Sequence, residues 1–387
     1  MPQLAHGRIE GLVTWRALLM LGGLVLHATI DQERYPPFAA INIASASFRM
    51  GAFFLISGLL TGFALTREPD GHEWVRRRLL QLALPTLVAV LTICPIIRSL
   101  FTLADPAHPP GLSIYHLWFM VALLYYTLLA YGLHRIDRLW RVFGHVENAS
   151  LIARLRQSVL LMGTGTLSFV LVLQLSPICA ALVPNQPSLI QQAPIIIGNI
   201  PTFLLGFACG RMPTLRRIFI AGRRVPLAIL TGAALAHWMV RSDWLAARFD
   251  EAVMTQARMI VLVAGTAWCP PAATALILRS AMAMQTVPPV IRRLAEASFT
   301  MYIVHYPIML AIKIAARPIG LGPWGGFAAA LLLGGVLSWT IHDRVIARSR
   351  WLPLLVNGRL PRTLAPTGLG ASAMARNGGV AILNDRA

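Results

Sequence analysis

Residues 46–65 read ASFRMGAFFLISGLLTGFAL, twenty residues with one charge, Arg49, and no polar break. About 20 such residues, rising about 1.5 Å each, cover the roughly 30 Å of a bilayer's hydrocarbon core. Nine further runs of this kind lie outward from it, near 15–31, 79–99, 115–132, 158–176, 191–210, 225–241, 256–279, 294–315 and 325–342. The chain is therefore expected to be an all-α integral membrane protein, a bundle of about ten transmembrane helices. Composition agrees. Of 387 residues 56% are hydrophobic and only 13% charged, where a soluble domain carries about 25%.

The formal net charge of +19 would suggest nucleic acid in a soluble protein. Here the basic residues sit in short segments between apolar runs, so no nucleic-acid partner is expected and the lipid bilayer is. Segments that a cytoplasmic N-terminus would place inside hold 26 of the 34 Lys and Arg residues. That bias orients a membrane protein with both termini cytoplasmic. The outer segments 32–45, 100–114, 177–190, 242–255 and 316–324 are short and read as turns, so any chemistry belongs inside the bundle or at its mouths. The reading gives a membrane domain over 1–356 and a disordered cytoplasmic tail over 357–387, rich in Gly, Ala, Pro and Arg. The first apolar run lacks a small-residue cleavage site and is not read as a signal peptide. Cys94, Cys179, Cys209 and Cys269 lie in or beside apolar runs without a CxxC pair, which fits inert thiols and no metal site.

Ionisable residues inside a membrane cost several kcal/mol or more, so each is a functional candidate. The first run holds Arg16 and His27. Eleven residues are about three turns, or about 16 Å, so both share one face. The alternative is an interfacial arginine and a histidine bonded to a backbone carbonyl. Asp31, four residues beyond His27, is placed to accept an imidazole N–H, or simply ends the helix. In the second run Arg49 lies near the outer end, and Ser57 and Gly58 at mid-depth. Gly58 suits close helix packing, and Ser57 suits either a ligand or its own helix carbonyl. YHLWFM at 115–120 puts His116 and Trp118 at the outer interface. EASFTMYIVHYPIML at 296–310 puts His305 mid-membrane, with Tyr302 one turn below. Arg76, Arg77 and Arg78 precede the third run, where arginines hold anionic lipid or grip phosphates.

Five of these features in order resemble the acyltransferase-3 superfamily of membrane enzymes. They are Arg16 with His27, FRMGAFFLISGLL at 48–60, VRRRLLQLALP at 75–85, HLWFM at 116–120 and SFTMYIVHYP at 298–307. The resemblance runs from about residue 12 to 345. It implies transfer of an acyl group, acetyl or succinyl, from cytoplasmic acyl-CoA to a hydroxyl of an extracytoplasmic glycan or related acceptor. It also implies a bacterial inner membrane, and acyl-CoA as a substrate rather than a resident cofactor. On that reading His27 is the base or a transient acyl carrier, Arg16 positions the CoA end, and His305 belongs to the catalytic set. Arg49, Ser57, His116 and the three arginines bind substrate, with Arg49, Ser57 or His305 supplying oxyanion donors. Relatives often carry an acidic residue two positions before the motif arginine. Here that residue is Thr14, so Arg16 needs another partner. The competing reading is a secondary transporter or exporter using the same buried polar residues.

Overall fold

The computed structural model describes residues 11–359, apart from 31, 33, 69, 108–110, 112, 150–151, 153 and 183–188, with side chains 189–191 also undescribed. Asp31 and the tail beyond 359 thus lie outside the described residues. Among those described there are helices and no strand. In chain order the longer ones are α1 (Gly11–Ala28), α2 (Pro36–Arg67), α3 (His72–Ala104) and α4 (Trp118–Trp140), the last entered through a 3₁₀ turn at Tyr115–Leu117. A short α5 (Val142–Asn148) leads to α6 (Gln157–Leu182), α7 (Leu189–Gly198) and α8 (Ile200–Arg211). Then come α9 (Pro213–Phe219), α10 (Arg224–Met239), the single turn α11 (Asp243–Ala246), α12 (Glu251–Ala283), α13 (Pro289–Ala316), α14 (Pro323–Thr340) and α15 (Leu352–Asn357).

Nine spans among the described residues are long and apolar enough to cross a membrane. The expected run at 225–241 is not a simple tenth. It is the longer half of a broken element, α9 and α10, bent by 53°. Two other expectations change. The segment 32–45 is not all turn, because α2 begins at Pro36, where proline's fixed φ and missing N–H suit a first helical turn. Arg49 is consequently near the middle of a 32-residue helix rather than at its outer end. Arg76, Arg77 and Arg78 lie not before α3 but within its first turns.

Glycine decides the tightest crossing. α2 runs against α8 with Gly58 and Gly62 facing Gly206 and Gly210. A Cβ on Gly206 would strike the Leu55 carbonyl oxygen, and one on Gly58 the Phe203 carbonyl oxygen. Such backbone contact is how membrane helices gain packing without a hydrophobic drive. The buried aromatics Phe54, Tyr126 and Phe203 fill the space beside this crossing.

Ion pairs gather one end of the bundle. Arg77 pairs with Glu68, Arg138 with Asp70, and Arg211 with Asp137, which joins the end of α2, the start of α3 and the ends of α4 and α8. This is the arginine-rich end. The last described residues are packed there too. Thr300 donates to Asn357 at 2.9 Å. Gly358, at φ +61°, lies against the Gln81 backbone so closely that a side chain would not fit.

Candidate functional site

α1 is uninterrupted from Gly11 to Ala28, so Arg16 and His27 do lie three turns apart on one helix. Its far end is pinned, as Asn42 of α2 donates to the Thr29 hydroxyl at 2.9 Å. That contact fixes the height of His27. Two other histidines meet it there. His116 arrives on the 3₁₀ turn before α4, and His305 from the middle of α13. Ring centroids stand 5.1 Å apart for His27 and His305, 6.1 Å for His27 and His116, and 5.4 Å for His116 and His305. Tyr306 closes one side, its ring 4.6 Å from that of His27. His116 is therefore buried in a histidine cluster.

The hydrogen bonds settle what each ring offers. His305 Nδ1 lies 2.7 Å from the Tyr302 carbonyl and 3.0 Å from that of Met301, so Nδ1 carries the proton. His116 Nε2 lies 3.2 Å from the Ile303 carbonyl and likewise donates. The remaining nitrogens, His305 Nε2 and His116 Nδ1, are buried without a protein partner. Neutral imidazole has one donor and one acceptor, so both rings keep a bare lone pair. His27 and His116 both line the adjoining cavity, and His27 differs from the other two in being only half-buried.

That cavity holds about 620 Å³. Helices α1, α2, α6, α7, α12 and the turn before α4 wall it, with Tyr302 of α13 at its base. Among the described residues Arg49 is the single charged side chain lining it, and no carboxylate does. The guanidinium lies over Gly22 and Gly23 of α1, where a larger residue would collide. Its Nε donates to the Ser45 hydroxyl at 2.9 Å and its Nη1 to the Leu19 carbonyl at 3.2 Å. A fixed cation in a largely apolar pocket attracts negative charge far more strongly than it would in water. Its lining residues Ser176, Ala180 and Met259, away from the arginine-rich end, are themselves exposed.

The other sequence candidates scatter. Arg16 is exposed at the arginine-rich end, its guanidinium 5.9 Å from the Phe53 ring centre. Arg78 is close enough to feel the charge of Arg16. Neither is paired with a carboxylate among the described residues. Arg76 and Arg77, by contrast, are engaged by Glu73 and Glu68. The triple arginine is thus not one unit. Ser57 is buried but does not line the histidine cavity. The Thr14 hydroxyl is buried without a partner and offers Arg16 no carboxylate.

Three site residues escaped the sequence reading. Ser45 stands one turn from Arg49 on the same face, a signal that was present as an i, i+4 polar pair. Asn199, at the junction of α7 and α8, lines the cavity and donates to the Ile195 carbonyl at 2.8 Å. A polar residue between Pro194 and Pro201 in an apolar run marks irregular backbone, which membranes tolerate only beside protein or a cavity. Tyr306 had no sequence signal beyond adjacency to His305. Among the described residues no group of three or more His, Cys, Asp or Glu is arranged to hold a metal ion.

Comparison with known proteins is in keeping with this geometry. A family model described as Acyltransferase domain matches residues 9–343. Glucans biosynthesis protein C of Escherichia coli strain SMS-3-5 / SECEC is 24% identical over 368 residues, covering 85% of this chain and 90% of that protein. The protein of the same name from strain K12 is 23% identical over the same length. No solved structure matches.

Proposed function

This chain belongs to the acyltransferase family defined by that domain, and we propose that it is an O-acyltransferase that takes an acyl group from acyl-CoA to a hydroxyl of an extracytoplasmic glycan or related acceptor. One observation carries the reading. A half-buried histidine, His27, faces a cavity in which Arg49 is the only charged lining residue among those described, with two neutral histidines beside it holding unused lone pairs. A hydroxyl is a poor nucleophile at neutral pH and needs a base.

In this mechanism the acceptor hydroxyl gives its proton to His27 as its oxygen bonds to the thioester carbon. Proton uptake makes His27 an imidazolium, and the lone pairs of His116 and His305, which have no protein partner before that step, are the nearest acceptors for its other N–H. The tetrahedral oxyanion is met by Arg49. Neutral His305 spends its one N–H on backbone carbonyls and is an acceptor at Nε2, so the oxyanion falls to the arginine rather than to it. The C–S bond then breaks, and the His27 proton passes to sulfur, releasing the free thiol of CoA. Arg16 and Arg78 grip the CoA phosphates. Arg76 and Arg77, already held by carboxylates, contribute less. The arginine-rich end is cytoplasmic in this scheme, both termini included, in a bacterial inner membrane. The acceptor enters from the opposite end, where the lining residues Ser176, Ala180 and Met259 are exposed. Acetyl and succinyl are both compatible donors, and a succinyl carboxylate would seek Arg49.

The test uses purified protein in nanodiscs with acetyl-CoA and succinyl-CoA. Slow hydrolysis without acceptor is expected, which a transporter has no reason to catalyse. His27→Ala should lower the rate per mole of stable protein about 10²–10⁴-fold. Glycan mass spectrometry of a deletion strain and its complement would then identify the acylated product. Near-wild-type specific activity in His27→Ala would end this mechanism.

A further inference from the structure

Between the exposed arginines and the histidines stands an unbroken run of rings. The Arg16 guanidinium lies 5.9 Å from the centre of Phe53, and Phe53 lies 4.9 Å from Phe119. Phe119 is 5.2 Å from Tyr302, and Tyr302 is 5.3 Å from His116. All three aromatic rings are buried. The histidine cavity is lined as far as Tyr302, and neither Phe53, Phe119 nor Arg16 lines it. On α2, Ser45, Arg49 and Phe53 follow at four-residue spacing on one face. The first two line the cavity, and Phe53 stands one turn nearer the arginine-rich end. If acyl-CoA binds at Arg16 and Arg78 and its carbonyl reacts beside His27, the acyl group must cross this layer.

Resting on the acyl-transfer reading, we propose that Phe53 is the gate through which the acyl group passes and the residue that limits its size. Its neighbours are held where it is not. Tyr302 is anchored by its hydroxyl, which donates to the His116 carbonyl. Phe119 is wedged between Phe53, Phe54 and Tyr302. Phe53 has no polar anchor, and the Arg16 cation covers one side of it. A phosphate that draws Arg16 away removes that cover in the same event that delivers the donor. With no donor bound, the closed layer separates the base from the CoA side, and opening it limits how often a thioester reaches His27.

The experiment compares wild type, Phe53→Leu, Phe53→Ala and Phe119→Leu in nanodiscs. Acetyl-, butyryl- and octanoyl-CoA serve as donors, with hydrolysis and kcat/KM measured for each. Phe53→Ala should raise the octanoyl-to-acetyl ratio of kcat/KM by about tenfold or more, since a methylene's room in an apolar passage is worth about that much. It should also raise hydrolysis without acceptor. Phe53→Leu should move both quantities the same way by less, and it carries the comparison if the alanine variant is not stable. Phe119→Leu should change the ratio less than Phe53→Ala. A wild-type chain-length profile and hydrolysis rate in both Phe53 variants would overturn the gate while leaving acyl transfer standing. A wild-type protein that neither hydrolyses nor transfers any of the three donors would instead remove the acyl-transfer reading itself, and the gate with it.

Discussion

Replacing Arg49 by Met should cost activity and spare stability, and the structure gives the reason for both signs. Arg49 is 8% exposed, and among the described residues no carboxylate lines its cavity. Burying such a cation costs several kcal/mol even after relaxation. Against that stand two charge-assisted hydrogen bonds, to Ser45 and to the Leu19 carbonyl, each worth about 1.5–3 kcal/mol. Neither acceptor is orphaned by the substitution. The Leu19 carbonyl lies inside α1 and keeps its helical partner, and a serine hydroxyl on a helix turns to the carbonyl four residues back. The opposing contributions are of similar size, so net stability should change by no more than about 1 kcal/mol. Thermal unfolding in detergent should then shift by only a few degrees, at most about 4 °C. If Arg49 meets the oxyanion, its loss removes about 2.7–4 kcal/mol of transition-state stabilisation, or about 10²–10³ in kcat. The assay is acyl transfer per mole of folded protein beside an unfolding curve of the same sample. A variant destabilised by more than about 3 kcal/mol, with activity falling in step, would make Arg49 a structural tie. A stable variant with full activity would place it outside the chemistry.

Arg16→Ala should raise KM for acyl-CoA strongly, and Arg16→Lys should restore it only in part, because lysine lacks the planar fork that holds two phosphate oxygens; equal KM values across the three proteins would remove Arg16 from donor binding. Reporter fusions at Asn357 and in the turn after Phe219 should read cytoplasmic and one at Phe249 should read outside, and a cytoplasmic signal at Phe249 would reverse the orientation drawn from the arginines. Gly206→Leu should cost more than about 3 kcal/mol or abolish expression, because its side chain meets the α2 backbone at Leu55 rather than a movable side chain; wild-type expression and melting would show that the α2–α8 crossing can open.

Much of this protein follows from local arithmetic along the chain. A run of about 20 apolar residues has few ways to satisfy its backbone in lipid other than a helix, so the spans are legible one at a time. The same holds for Arg16 and His27, whose shared face depends only on the pitch of α1. Interruptions are less legible. The bend between α9 and α10 and the early start of α2 at Pro36 depend on what packs beside them, and hydropathy alone reports neither. The site needed the tertiary structure most. His116 and His305 are 189 positions apart, and nothing periodic connects a turn before α4 to the middle of α13. Their meeting is set by how the helices pack, with Gly22 and Gly23 leaving room for Arg49 between α1 and α2. Arg76, Arg77 and Arg78 are identical in type and adjacent in sequence. Only the positions of Glu68 and Glu73 distinguish the two that are already paired from Arg78, which has no carboxylate partner among the described residues. Phe53 is one apolar residue among twenty in the stretch that determined the fold. Its place between the two halves of the site comes from the neighbours that α1 and α4 bring to it, because a side chain's surroundings, unlike its helical phase, are a property of the packed bundle.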